Sequence, residues 1–134
     1  MRFDEIRVGA SAAFDAVLDE GQIDAFARLS GDLAPLHMDS GFARSRGFND
    51  RVAHGFLIGA YVSRLIGMHL PGESAVILSE TLRFHEPVYP GRTLQVSGRV
   101  ESVSEATSTI DVAVQVTCEA RLHVSGTVRA LVRS

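Results

Sequence analysis

The sequence predicts an α+β domain in which one antiparallel sheet wraps around a long buried helix. Two observations predict it. Gly55–Leu70 is almost wholly apolar, and Phe56, Leu57, Ile58, Ala60, Tyr61, Val62, Leu65, Ile66 and Met68 go round most of a helical circumference. Such a helix is usually buried on most sides. From Val76 onward the period of the apolar residues changes to two, the mark of half-buried antiparallel strands. One sheet enclosing one helix buries both patterns in a single core. A chain of 134 residues is expected to form one domain over 1–134, large enough to bury roughly two thirds of its unfolded surface.

Ser11–Leu18 is a short first strand with weak alternation. Asp19 then starts a helix as N-cap, with Gln22 three residues on to complete a capping box. Ile23, Phe26 and Leu29 recur at helical spacing, and Gly31 is a natural stop. Pro35 disfavours a helical Ala34, so Asp32–His37 is expected as loop. Asp39 caps a second short helix to about Gly47. The apolar helix follows and ends at Leu70-Pro71-Gly72. Val76, Leu78, Leu82 and Phe84 are expected on one strand face, with Ile77 out of phase. Leu94–Val100, Ile110–Cys118 and Leu122–Val132 alternate as three further strands, separated by turns at Tyr89-Pro90-Gly91 and near Ser104-Glu105-Ala106.

Composition narrows the functional classes. Net charge is −3 and no basic run occurs, so nucleic acid is not an expected partner. The longest apolar stretch contains Arg64 and His69 and is short for a bilayer, so no membrane partner is expected. The first residues carry acids and no apolar run, which argues against a secretory signal. Cys118 is the only cysteine, which excludes an intrachain disulfide and fits a reducing cytoplasm. Its phase on an apolar strand face makes it a buried, inert thiol. The histidines show no zinc spacing, and there is no phosphate loop, dinucleotide fingerprint or nucleophile elbow.

Chemistry concentrates around Asp32 and His37. Their separation does not align them on one helical face, yet a segment stiffened by Pro35 can aim both at one point. A carboxylate and an imidazole together can position a water and move its proton. Each alone is as easily a turn or structural residue. His54-Gly55 opens the apolar helix, whose free N–H groups can stabilise a developing oxyanion. Gly55 allows close approach by a ligand, or simply lets the chain turn. His54 is expected as a supporting hydrogen-bonding residue. Ser63 and Arg64 are the strongly polar residues of the helix. On residue chemistry alone Ser63 bonds back to its own backbone and Arg64 extends out to solvent.

Phe26-Ala27-Arg28-Leu29-Ser30-Gly31-Asp32, Pro35-Leu36-His37, Asp39, Phe42-Ala43 and Val52-Ala53-His54-Gly55 together resemble the MaoC-like (R)-specific enoyl-CoA hydratases, the hydratase-2 branch of the hot-dog superfamily. The similarity continues through Leu70-Pro71-Gly72, Leu82-Arg83-Phe84 and Pro87–Gly91, and so covers almost the whole chain. The resemblance implies a hot-dog domain that adds water to trans-2-enoyl thioesters, giving (3R)-3-hydroxyacyl thioesters, or catalyses the reverse dehydration. It implies Asp32 and His37 as the catalytic pair and the Gly55 N–H as the group binding the thioester carbonyl. Ser63 corresponds to a helix serine that supports the aspartate. Phe56 and Leu57 are expected along the acyl tail. No metal or redox cofactor is implied; the acyl group is carried on coenzyme A or acyl carrier protein. A homodimer with sheets joined edge to edge is implied too, which also pairs an otherwise open sheet edge. One position departs: the family usually has Asp-x-Asn-Pro, and here the Asn position is Ala34. Two other readings are a hot-dog acyl thioesterase and a weakly catalytic acyl-thioester-binding subunit of a larger dehydratase.

Overall fold

The computed structural model describes residues 1–134. The elements run in chain order as β1 (Ser11–Leu18), α1 (Glu20–Ser30), α2 (Pro35–Met38), α3 (Ser40–Ser45) and α4 (Gly55–Arg64), then β2 (Ala75–Phe84), β3 (Arg92–Ser104), β4 (Thr109–Cys118) and β5 (Arg121–Val132). All five strands form one antiparallel sheet in the order β1-β3-β4-β5-β2. The predicted hot-dog arrangement is present. Alternate residues of β3, β4 and β5, from Leu94 to Val132, face the buried side of α4. The packing is close: a Cβ at Gly98 of β3 would come within 2.8 Å of Leu65 Cδ2.

The start of α1 follows its sequence signature. Asp19 accepts from the Gln22 N–H at 2.9 Å, and the Gln22 side chain accepts from the Asp19 N–H at 2.8 Å. Gly31 ends the helix in the left-handed region at φ 77°. Asp39 caps α3 by accepting from the Phe42 N–H.

Three expectations are corrected. Asp32–His37 is not all loop: Pro35–Met38 forms a single helical turn with Pro35 at its first position. The same proline explains both observations, since it keeps Ala34 extended (ψ 136°) and is itself set for a helix start. Secondly, α4 is buried on one side only. Leu57, Ile58 and Val62 are in the core, but Phe56 is 86% exposed, and Ser63, Arg64 and Met68 also face out. A single curved sheet covers one flank of a helix. The final turn, Leu65–His69, is also widened, with Leu70 N–H donating to Leu65 O five residues back. Thirdly, β2 does not keep one apolar face. A bulge between Ile77 and Ser79 changes the phase. Ile77 and Leu82 pack toward the core, whereas Val76 and Leu78 are exposed.

Candidate active site

The site is assembled where α2 meets the N-terminus of α4. A four-residue segment, Arg51-Val52-Ala53-His54, runs alongside Asp32–His37 and ties it down. The Val52 N–H donates to Leu36 O at 3.1 Å, and Val52 O accepts from His37 Nδ1 at 2.6 Å. The Arg51 Nε–H donates to His37 O at 2.6 Å. His54 Nε2–H donates to Asp32 O at 3.0 Å. The segment is itself anchored to the body of the protein by Ala53 N–H donating to Val88 O at 2.8 Å. Every bond except those from Arg51 and His54 side chains involves Val52 or Ala53 backbone, which leaves no sequence signal.

These bonds determine how the catalytic candidates point. His37 Nδ1–H is committed to Val52 O, so Nε2 is the free ring atom. Nε2 lies 3.7 Å from Asp32 Oδ2. The imidazole is mostly buried and the carboxylate about half exposed, so the pair opens to solvent on the Asp32 side. Asp32 Oδ1 is held by the Ala34 N–H at 3.2 Å in a local turn. His37 stacks on His54 with ring centroids 3.9 Å apart. Phe26 of α1 closes the other face of His54, edge-on at 4.9 Å. His54 is 2% exposed, and its Nδ1 has no hydrogen-bond partner.

Asp32, His37 and His54 bring their polar atoms within 4.8 Å of one another. The two free ring nitrogens, His37 Nε2 and His54 Nδ1, lie in planes only 26° apart on stacked rings. Zinc takes imidazole lone pairs that converge on one point at about 2.0–2.1 Å. Nearly parallel stacked rings do not aim both lone pairs at one such point.

Gly55 is the first residue of α4 and follows His54, which offers no side-chain cap. Its N–H has no intrahelical carbonyl to reach, and it carries the positive end of the helix dipole. A Cβ at Gly55 would come within 3.2 Å of the Phe84 ring, so glycine permits close approach here. Gly55, Phe56 and Gly59 of α4 and Glu80, Leu82 and Phe84 of β2 line a cavity of about 280 Å³. Partial burial on that wall pushes the Glu80 carboxyl above its usual range.

The structure therefore brings together Asp32, His37, His54 and Gly55. Phe56 lies on the cavity wall, whereas Leu57 points into the core. Ser63 is exposed two helical turns beyond Gly55, about 12 Å along the axis. No hydrogen bond joins it to Asp32 within one chain. Arg64 stacks over Phe14 with its guanidinium carbon 4.0 Å from the ring centre, and so does not simply extend into solvent. Sequence reasoning missed Arg51, Glu80 and Phe84. Arg51 gave no signal because its partners are carbonyls and carboxylates from other segments. Strand alternation alone puts Glu80 in phase with Leu82 and Phe84, on the cavity wall.

The fold has counterparts among known proteins. The chain is 36% identical over 92 residues to the (R)-specific enoyl-CoA hydratase of Rhodospirillum rubrum, covering 69% of this chain and 64% of that protein. It is 33% identical over 98 residues to the 3-hydroxybutyryl-CoA dehydratase of Methylorubrum extorquens, covering 73% of this chain and 62% of that protein. It thus spans a little under two thirds of the length of these two relatives. The R-hydratase PhaJ1 of Pseudomonas aeruginosa, in its unliganded form, superimposes with a TM-score of 0.92 at 32% identity over 99% of this chain and 86% of that one. The model of the MaoC like domain matches residues 6–121, most of the fold including every site residue named above, and the chain belongs to that family.

Proposed function

We propose that the protein catalyses the reversible hydration of trans-2-enoyl thioesters to (3R)-3-hydroxyacyl thioesters. The observation that carries this reading is the Asp32–His37 pair, 3.7 Å apart, set beside an uncapped helix N-terminus. The names of the hydratase and dehydratase relatives support the same reaction class. The thioester carbonyl accepts from the Gly55 N–H, and the charge that develops on its oxygen is stabilised by that donor and the helix dipole. A water sits between Asp32 and His37. In hydration its oxygen bonds to C3 as one of its protons passes to Asp32. His37, starting with a proton on Nε2 as well as the Nδ1–H held by Val52 O, gives the Nε2 proton to C2, so that H and OH are added across the double bond. The proton on Asp32 then returns to His37 and resets the pair.

The acyl tail runs from Gly55 along Phe56 toward Gly59, Leu82 and Glu80. Coenzyme A or acyl carrier protein carries it, and no metal or redox cofactor takes part. The protein acts as a homodimer in the cytoplasm, joined through the β2 edge. That edge pairs with β5 on one side only and exposes Val76, Leu78 and Phe84 next to Phe56. An edge with such side chains needs a partner strand. Ser63, remote from Asp32 within one chain, supports the aspartate only through this assembly.

The test is hydration of crotonyl-CoA, followed by loss of enoyl absorbance and chiral analysis of the product. Asp32→Ala and His37→Ala are each expected to lower kcat by about 10²–10⁴-fold. Unchanged activity in either variant overturns the assignment. Release of free thiol instead of a hydroxyacyl product identifies a thioesterase.

A further inference from the structure

Arg51 is 8% exposed, and its guanidinium faces two helices, α1 and α2, at once. Its Nη2 donates to Asp24 Oδ1 of α1 and approaches Met38 Sδ at 3.9 Å. Its Nη1 lies 3.7 Å from Glu20 Oε1, one turn earlier on α1. Its Nε donates to His37 O. Burial of a cation is unfavourable unless it is paired, and the two carboxylates of α1 supply that pairing. The Nε donor goes to the main-chain carbonyl of His37, a residue of the proposed catalytic pair. Val52, the next residue, holds the ring of that same histidine through Nδ1. His37 is therefore gripped at its carbonyl and at its imidazole by two consecutive residues. The short helix that carries it has no side-chain N-cap and is far below the length at which a helix is stable alone. The direction of His37 Nε2 must come from outside α2, and Arg51 is the group that links it to α1.

We propose that Arg51 is a positioning residue for proton transfer, which acts through the His37 carbonyl to fix the His37 ring against Asp32. This rests on the hydratase reading for its kinetic consequence but not for its structural one. Guanidinium geometry matters: a fork can serve Asp24 through Nη2 and His37 O through Nε together, whereas an ammonium group is a single point of charge.

The experiment compares wild type with Arg51→Met, Arg51→Lys and Asp24→Asn. Thermal melts establish that each is folded, and crotonyl-CoA kinetics and imidazole ¹⁵N spectra are then recorded. Small misplacements at a site can lower rates by about 10²-fold. Arg51→Met is expected to lower kcat by about that factor with KM changed less than about threefold. The ¹⁵N signature of the fixed Nδ1–H form of His37 is expected to be lost. Arg51→Lys is expected to fall between Met and wild type. Asp24→Asn, which loosens the anchor but keeps the Nε bond, is expected to lower kcat less, in the same direction. If Arg51→Met does not fold, Arg51→Lys and Asp24→Asn decide the matter. Unchanged kcat in folded variants, or a rise in KM alone, overturns the proposal. If wild type fails to hydrate crotonyl-CoA, the functional reading is lost, and the ¹⁵N signature still decides: an unchanged His37 signal in the Arg51 variants overturns the positioning role.

Discussion

A helix of four residues has too few internal bonds to hold itself, and Ala34 removes the side chain that usually helps at its start. Ala34 occupies the N-cap of α2, where no side-chain bond is present. The Leu36 N–H, second in that helix, has no intrahelical acceptor. Asparagine is among the best N-cap residues, and replacing such a cap by alanine costs about 0.5–2 kcal/mol. Ala34→Asn is therefore expected to stabilise the protein by about 1 kcal/mol in urea melts. No gain would show that the neighbouring segment already holds α2 fully. The family's Asn at this position is thus read as a helix cap, and its loss leaves Asp32, Pro35 and His37 in place. His54 is a second residue where stability gives way to position. Its buried Nδ1 has no hydrogen-bond partner within the protein. Its Nε2 bond to Asp32 O and its stack on His37 are what the residue provides in return.

Strand β2 is the element where local irregularity and function meet. The bulge at Leu78 turns Glu80, Leu82 and Phe84 toward α4 and leaves Val76 and Leu78 facing out. Glu80 thereby enters an apolar wall, and partial burial raises its pKa above the ordinary carboxylate range. The unfolded chain ionises first as pH rises. From about pH 4.5 up through the raised native pKa, the unfolded state binds fewer protons than the native one, and stability falls. Glu80→Gln removes that ionisation. Its melting temperature is expected to exceed wild type by a small margin at pH 7, because water screens a half-open carboxylate, and to match wild type near pH 3. A lower value at pH 7 would mean that the carboxylate has a favourable partner. The same strand shows where sequence stops being informative. Capping at Asp19 and Gln22, the stop at Gly31 and the alternation of β3–β5 rest on neighbours in sequence, so they were legible. The bulge depends on how β2 meets β5. There Gly126 lies so close that an added Cβ would fall 1.9 Å from Thr81 O. Likewise Asp32, His37 and Gly55 are legible as a spaced motif, whereas Arg51 is defined by contacts with α1 and α2.

At the scale of the whole molecule, one sheet and one helix leave an uncovered flank. Phe56 of α4, Met68 of the widened turn that follows it, and Val76, Leu78 and Phe84 of β2 are exposed apolar side chains. In the proposed dimer, a second copy joined along β2 would cover the strand edge and part of this flank. Leu78→Lys is expected to convert a micromolar dimer to monomer in sedimentation velocity, with far-UV circular dichroism retained. An unchanged sedimentation coefficient would move the interface elsewhere. The approach of Arg51–His54 to the site has a mechanical consequence as well. The residues that hold Asp32 and His37 run without a break into Gly55, whose N–H is the proposed donor to the thioester carbonyl. The anchor of the proposed proton-moving pair and the proposed charge-stabilising N–H therefore sit on one short piece of backbone. A drift of that piece carries both together, so their separation is protected even when their common position is not.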